Sequence, residues 1–389
     1  MTTRRLATRL IHTAEGAAPR ARPLTTPIYE TTTFVFDSVA DIEAHLDAAD
    51  GTYLYSRYAN PTLTSLEAKL AEAEGAEAAM VFGSGMGAIS TSLLGLLSAG
   101  DEVVCSASIY GGTLHLLQSL LPRFGVRATF VDHEASRDPR PAFTDRTKVF
   151  WFESPTNPTL RCVDIARVAE ACRAAGVTSI IDNTFASPFN QQPLALGVDL
   201  VMHSATKYLN GHSDVTAGAL MGSRAHIETL QPARKLLGTM LDPAAGYAVS
   251  RGLKTLDVRM ARHNATGLAV AEALQGLPGV AGVHYPGLRA HPDHAIAARQ
   301  MRGFGGMVTV DLAGGFDAAT RAFDRLQVFQ RAASLGGVES LCSLPVLTSQ
   351  HGWSDAQLAN AGVTRGMMRL SVGLEDAADL IDDLRQALA

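Results

Sequence analysis

Three short stretches hold residues that a buried core would not choose, and each follows an apolar run. Gly83-Ser84-Gly85-Met86-Gly87 leaves Ala79–Phe82 and enters a helical pattern. Glycines at that spacing let a backbone close around an anion, and a helix N-terminus adds free N–H groups and a positive dipole end. Asp182 closes Ser179–Ile181 and is followed by Asn183-Thr184. A carboxylate at the end of an apolar strand is costly unless a cation or a protonated heterocycle meets it. Lys207 stands in His203-Ser204-Ala205-Thr206-Lys207-Tyr208, just past Leu200–Met202. Burial there keeps a lysine partly neutral, as an amine that attacks a carbonyl must be, and the hydroxyls of Ser204 and Thr206 suit phosphate oxygens.

Each stretch has a plainer reading as a tight turn, a helix cap or a surface lysine. Together they match the needs of pyridoxal 5'-phosphate: an amine for the aldehyde, an acid for the pyridine nitrogen and a cradle for the phosphate. Tyr110, in Ile109-Tyr110-Gly111-Gly112-Thr113, is a candidate to stack on the ring. A dinucleotide site is the rival reading of the glycines. Its acid would have to be Asp101 or Glu102, which precede their strand instead of following it, so that reading is weak.

The elements that must position these residues follow from the apolar pattern. Strands are expected at Ala79–Phe82, Glu102–Cys105, Ala128–Val131, Val149–Phe152, Ser179–Ile181, Leu200–Met202 and Ala217–Met221. Helices are expected between them at Met86–Ser98, Thr113–Arg123 and Ile165–Ala175, with Thr62–Gly75 before them. Apolar strands without strict alternation, separated by helices, imply a mainly parallel sheet covered on both faces. A long helical stretch over Pro243–Leu274 leads to a smaller C-terminal α/β domain with strands Met307–Asp311 and Met368–Val372 and helices Ala318–Leu326 and Ala377–Ala387. The chain thus divides into an arm (1–59) with a short helix at Val39–Ala49, a large domain (60–250) and a C-terminal domain (251–389).

The 389 residues contain 33 Lys+Arg and 38 Asp+Glu, and the net charge of −5 predicts no nucleic-acid or anionic-membrane partner. Small molecules are the default ligands. Ala78 to Gly100 holds no charged residue, yet its many Gly, Ser and Thr residues argue against a membrane span. Cys105, Cys162, Cys172 and Cys342 show no CxxC spacing, so no zinc site or other metal is indicated. The N-terminus has no apolar signal core, and a cytoplasmic location is expected.

The chain resembles the Cys/Met-metabolism pyridoxal-phosphate enzymes, a trans-sulfuration family that includes cystathionine γ-synthase, cystathionine γ- and β-lyases, methionine γ-lyase and homoserine-ester sulfhydrylases. The resemblance rests on Tyr55-Ser56-Arg57, Asn60-Pro61-Thr62, the GSGMG turn, YGGT, Glu153-Ser154-Pro155-Thr156-Asn157-Pro158, Asp182-Asn183-Thr184 and HSATKY. It extends from Pro27-Ile28-Tyr29 to Arg369-Leu370-Ser371-Val372-Gly373. It implies the type I pyridoxal-phosphate transferase fold and a homotetramer built as a dimer of dimers, with active sites shared between subunits. It further implies Lys207 as the Schiff-base lysine and general base, and Asp182 as partner of the pyridine nitrogen. Gly85, Met86, Ser204 and Thr206 would hold the phosphate, and Tyr110 would stack on the ring and assist proton transfer. Tyr55 and Arg57 would reach the neighbouring subunit's cofactor, and Arg369, Asn157 and Ser334 would bind the substrate α-carboxylate.

Within the family the signals divide. Leu335-Gly336-Gly337-Val338-Glu339-Ser340-Leu341 is similar to the cystathionine enzymes, in several of which a glutamate at the position of Glu339 lies near the substrate's distal end. Leu54 and His115 stand where those enzymes tend to carry an acid and an arginine. Gly112 stands where methionine γ-lyases usually carry a cysteine, and Leu344–Gln350 departs from the family's usual loop. A distal amino-acid group then has fewer partners, and leaving it unpaired in a closed site is costly. The expected function is γ-elimination on methionine, homocysteine or cystathionine. Gamma-replacement by a synthase or sulfhydrylase is the alternative, and a catalytically silent binding protein on the same fold is the alternative of another class.

Overall fold

Runs that are apolar throughout become strands with both faces covered. The computed structural model describes residues 5–12, 23–48 and 51–389. Its larger sheet contains β1 (Ala78–Phe82), β2 (Glu102–Ser106), β3 (Arg127–Val131), β4 (Thr147–Glu153), β5 (Thr178–Asp182), β6 (Leu200–Ser204) and β7 (Gly218–Gly222). The spatial order is β1-β7-β6-β5-β4-β2-β3. Strands β2 to β6 pair in parallel, and β7 runs antiparallel to both β6 and β1. Ala79 and Val81 turn to one core with Leu66 and Leu70, while Met80 and Phe82 turn to the other with Ile89 and Leu93. Burial on both faces erases the alternation that a half-exposed strand would show.

The smaller sheet contains β8 (Val280–His284), β9 (Met307–Leu312), β10 (Gln330–Arg331), β11 (Leu341–Ser343) and β12 (Met367–Ser371), in the order β10-β11-β12-β9-β8. Only β9 and β12 are legible from the sequence; β8 is half-exposed and interrupted by Gly282, and β10 and β11 are very short. The charge-free run Ala78–Gly100 resolves into β1, the glycine turn and the helix Gly85–Leu96. Among the described residues no helix is long and apolar enough to cross a membrane.

Three sequence expectations change. The stretch Thr113–Arg123 is an α-turn at Gly111–His115, a π-turn at Leu116–Leu120 and a 3-10 turn at Leu121–Phe124. Pro122 has no N–H to return to the preceding turn, so a regular ladder cannot pass it. Pro243–Leu274 is two helices, Pro243–Leu253 and Leu256–Leu274. At the break, Gly252 lies against the Asn210 carbonyl, where an added Cβ would be only 2.2 Å away, and its own carbonyl accepts from Arg259 Nη2 at 2.8 Å. The arm begins with a helix, Leu6–His12, whose Leu10 is buried in the core of its own chain while Arg9 pairs with Glu72 at 2.6 Å.

Asp293 fastens the chain after β4 to the C-terminal part. Its fully buried carboxylate meets Arg161 Nε at 2.5 Å and Arg137 Nη2 at 2.6 Å, and accepts the Cys162 N–H at 3.0 Å. Burial alone would raise its pKa, but the His133, Arg161 and Cys162 contacts outweigh that and hold it well below 3.8. A depressed carboxylate pKa stabilises the fold above the unfolded-state value and loses that contribution as pH falls below it. Asp293→Asn should therefore cost about 2 kcal/mol at pH 7 by denaturant unfolding, with the deficit shrinking below about pH 4. A deficit independent of pH from 7 to 3 would show that the charge is not what Asp293 contributes.

Candidate active site

Strands β1, β2, β4, β5 and β6 all deliver their C-terminal ends to one edge of the sheet, where ligands of open α/β sheets bind. A cavity of about 580 Å³ opens there. It is lined by Gly85, Met86, Tyr110, Asn157, Asp182, Ser204, Thr206, Lys207 and Arg369 among the residues expected from sequence.

At β1 the chain turns through Gly83-Ser84 into the helix Gly85–Leu96. Ser84 caps that helix by accepting the Gly87 N–H at 2.9 Å. Gly85 faces Ser204: a Cβ on Gly85 would lie 3.1 Å from the Ser204 Cβ. Gly218, at the start of β7, runs beneath the same turn, and a Cβ there would lie 2.1 Å from the Ser84 carbonyl oxygen. The turn is thus packed backbone on backbone, with hydroxyls of Ser204 and Thr206 beside it. The Thr206 hydroxyl also spans to Ala217, accepting its N–H at 2.9 Å.

Asp182 lies at the end of β5 and accepts the Thr184 N–H at 3.0 Å. Burial raises its pKa above the ordinary carboxylate value, against the lowering contacts of Thr184 and the nearby His203. Its register partner on β4 is Glu153, which is also buried and whose pKa is pushed well up by burial and by Asp182. Two carboxyls side by side in a dry site cannot both ionise readily without a cation.

Lys207 is half-buried and donates from Nζ to Ser334 Oγ at 2.9 Å. Burial, and then the charge of Arg369, lower its pKa below the ordinary 10.5. Arg369, on β12, donates to Asn157 Oδ1 at 3.1 Å and to the Ser334 carbonyl at 3.3 Å, while its buried Nε has no partner. Burial brings its pKa down to about 10, so it remains a cation at neutral pH. A cavity-lining guanidinium with an unpartnered N–H suits a carboxylate ligand.

Other expected residues lie elsewhere. Tyr55 is exposed, and Arg57 lies over the rings of Tyr58 and Tyr55 and donates to the Lys235 carbonyl at 2.9 Å, outside the cavity lining of its own chain. Glu339 is exposed and accepts from Ser213 Oγ at 2.9 Å. Ser334 reaches the site through Lys207 and Arg369. Glu153 and Thr184 are lining residues that sequence reasoning did not single out. Glu153 offered the signal that exposed Asp182, an acid closing an apolar run; Thr184, which accepts the Ser204 N–H at 2.8 Å, offered only its adjacency.

The donor set fits pyridoxal phosphate: a buried acid for a pyridinium, a neutralisable amine, and a backbone cradle lined with hydroxyls for a phosphate. A sheet edge built in this way defines a cofactor-dependent amino-acid enzyme. The model of the Cys/Met metabolism PLP-dependent enzymes matches residues 7–389, and the chain belongs to that family. Its cofactor is therefore pyridoxal 5'-phosphate. L-methionine gamma-lyase of Pseudomonas putida is 42% identical over 384 residues, covering 98% of this chain and 96% of the relative. Cystathionine gamma-synthase of Mycobacterium leprae is 43% identical over 387 residues, with the same coverage. The crystal structure of metB from Corynebacterium glutamicum superposes with a TM-score of 0.92 at 38% identity, covering 99% of this chain and 98% of that one.

Because Gly218 supports the turn by close backbone approach, Gly218→Ala should push the Ser84 peptide out of place. The expected cost is about 2 kcal/mol of stability by denaturant unfolding, with weaker retention of pyridoxal phosphate on dialysis. Native retention would mean that this contact does not shape the cradle.

Proposed function

We propose that the protein catalyses γ-elimination on sulfur amino acids such as methionine or homocysteine, consuming one water and releasing a thiol, ammonia and 2-oxobutanoate. One observation carries the choice of substrate. Among the described lining residues only Glu153, Asp182, Lys207 and Arg369 are acidic or basic, and Leu335, Leu347, Phe185 and Pro155 make up much of the apolar remainder. Glu153 is engaged with the Tyr110 N–H at 2.6 Å, Asp182 suits the pyridine nitrogen, and Arg369 suits the α-carboxylate. No acidic or basic side chain of this chain's lining is left for a second amino-acid head group, so a short apolar γ-substituent is favoured.

In this mechanism Arg369, braced by Asn157 and Ser334, holds the α-carboxylate by paired N–H donors and orients Cα toward Lys207. Bound pyridoxal phosphate supplies the electron sink for the charge left at Cα, and Asp182 sustains it by keeping the pyridine nitrogen protonated. Lys207 Nζ would take the Cα proton, hand it on to the bound cofactor and, neutral again, take a Cβ proton, whose electron pair would expel the γ-thiolate; its lowered pKa makes it neutral, and so a base, at a lower pH than a free lysine. Ser334 Oγ accepts from Nζ and aims it. Tyr110 covers the ring and serves as acid toward the departing sulfur.

Replacement of the γ-group by an incoming thiol is the second reading, favoured by the equal likeness to cystathionine gamma-synthase. For assembly, we infer that the exposed part of the arm around Leu24 and Val35 lies on a second subunit, with Tyr55 and Arg57 reaching its cofactor, in a dimer or dimer of dimers. Leu24 and Val35 support this, being 91% and 93% exposed in the single chain. The four cysteines are free and buried, which supports a cytoplasmic setting.

A product assay tests the reaction. Methionine, homocysteine, cystathionine and acylhomoserines are offered with and without a thiol acceptor; 2-oxobutanoate from methionine without acceptor is expected, and thioether formation alone would favour replacement. Lys207→Ala should lose turnover by a factor of about 10³ or more while retaining cofactor weakly; unchanged turnover would exclude Lys207 as the base. The rise of kcat with pH should have its midpoint below 10.5, the ordinary lysine value. Arg57→Ala should release cofactor on dilution, and full retention at low protein concentration would count against the inter-subunit contact.

A further inference from the structure

Of the acidic and basic side chains lining the cavity, Glu153 alone has no role in the reaction above. It closes β4 as Asp182 closes β5, and the two are register partners on adjacent parallel strands. Glu153 is 5% exposed, and its Oε1 accepts the Tyr110 N–H at 2.6 Å. Tyr110 itself is 46% exposed and is followed by Gly111 and Gly112. Two glycines in succession leave the backbone with little preference of its own, so the position of the ring depends on whatever fixes the peptide. On the far side, Gly111 abuts the loop after β11: a Cβ there would lie 2.6 Å from the Ser349 carbonyl oxygen. The Tyr110 segment is held between a sheet carboxyl and a loop backbone. A Cβ on Gly112 would lie 2.5 Å from Tyr110 Cε1 and 2.9 Å from Met86 Sδ, so the ring folds back over the glycine toward the first turn of the helix Gly85–Leu96.

We propose that Glu153 is a positioning residue whose carboxyl oxygen fixes the Tyr110 peptide at the sheet edge and thereby sets the Tyr110 ring over the cofactor cavity. The proposal rests on the reading of that cavity as the pyridoxal phosphate site. What Tyr110 receives from Glu153 is one acceptor oxygen. A glutamine keeps that oxygen and the shape, whereas an alanine leaves a buried N–H unpaired. Burial and the neighbouring Asp182 both favour the uncharged form of Glu153, for which glutamine is the close mimic.

The test compares native protein with Glu153→Gln and Glu153→Ala in two states. Without cofactor, hydrogen exchange is followed by mass spectrometry on the peptide spanning Ile109–Thr113. Exchange at the Tyr110 amide should accelerate about tenfold in the alanine variant and stay near native in the glutamine variant. With pyridoxal phosphate, the visible circular dichroism should change in the alanine variant and be restored in the glutamine variant. With methionine, kcat should fall about tenfold in the alanine variant while KM moves by less than about threefold, since Arg369 and Asn157 are untouched. Should the alanine variant fail to fold, Glu153→Asp, one methylene shorter, should show the faster exchange. Native exchange and dichroism in the alanine variant, or in the aspartate variant where alanine does not fold, would overturn the proposal. So would a glutamine variant as impaired as alanine, which would make charge the operative property. A native protein that develops no visible band with pyridoxal phosphate would overturn the reading of the cavity, while the exchange experiment would still decide the Glu153–Tyr110 contact.

Discussion

Taking a carboxylate out of water at the end of an apolar strand costs several kcal/mol unless something positive meets it. At Asp182 that debt organises the site. The fold offers two kinds of relief within one chain, N–H donation from Thr184 and the field of the buried His203, and burial still prevails. His203 is itself engaged on the opposite side of the sheet, where its Nε2 meets Glu74 Oε1 at 2.5 Å. Asp182 is thus left facing a cavity that contains the adjacent Glu153, a half-buried amine and a guanidinium with an unused N–H. A protonated heterocycle with an aldehyde and a phosphate resolves these unmet demands together, which is why the same edge supplies the amine and the anion cradle.

Geometry makes that convergence possible. Five strands pointing the same way place Phe82, Ser106, Glu153, Asp182 and Ser204 at one edge. The reversed β7 enters from that edge and supplies the floor beneath the Ser84 turn. The second sheet contributes Arg369 from β12, and Asn157 comes from the loop that Asp293 ties to the C-terminal part through Arg161 and Cys162. Substrate recognition therefore draws on both sheets, and cofactor recognition on the larger one.

Much of the central sheet was legible because burial on both faces prints a simple apolar run in the sequence. The strand-end residues Asp182, Lys207, Ser204 and Thr206 stood out because polar groups at such positions need a reason. Less was legible where the reason is tertiary. Glu153 carries the same signal as Asp182 but sat inside a longer motif, and its contact with Tyr110 joins residues 43 positions apart. Beside the break in Pro243–Leu274, Gly252 packs against the Asn210 carbonyl, a tertiary contact that no periodicity records. The resemblance to the cystathionine enzymes points to Glu339 near the substrate's distal end, whereas in this chain its side chain is exposed and accepts from Ser213 Oγ.

The helix Leu256–Leu274 belongs to both halves of the molecule. Leu256 and Met260 pack in the core of the large sheet, and Val270, Ala271 and Leu274 pack in that of the small one. Near its start Arg259 donates to the carbonyls of Tyr208 at 2.7 Å and Gly252 at 2.8 Å. The residue next to Lys207 is thus bolted to the base of a lever whose far end carries the sheet holding Arg369. Because one unbroken helix is anchored in both cores, the span between the reactive amine and the sheet that carries its carboxylate anchor is set by the rigidity of that helix.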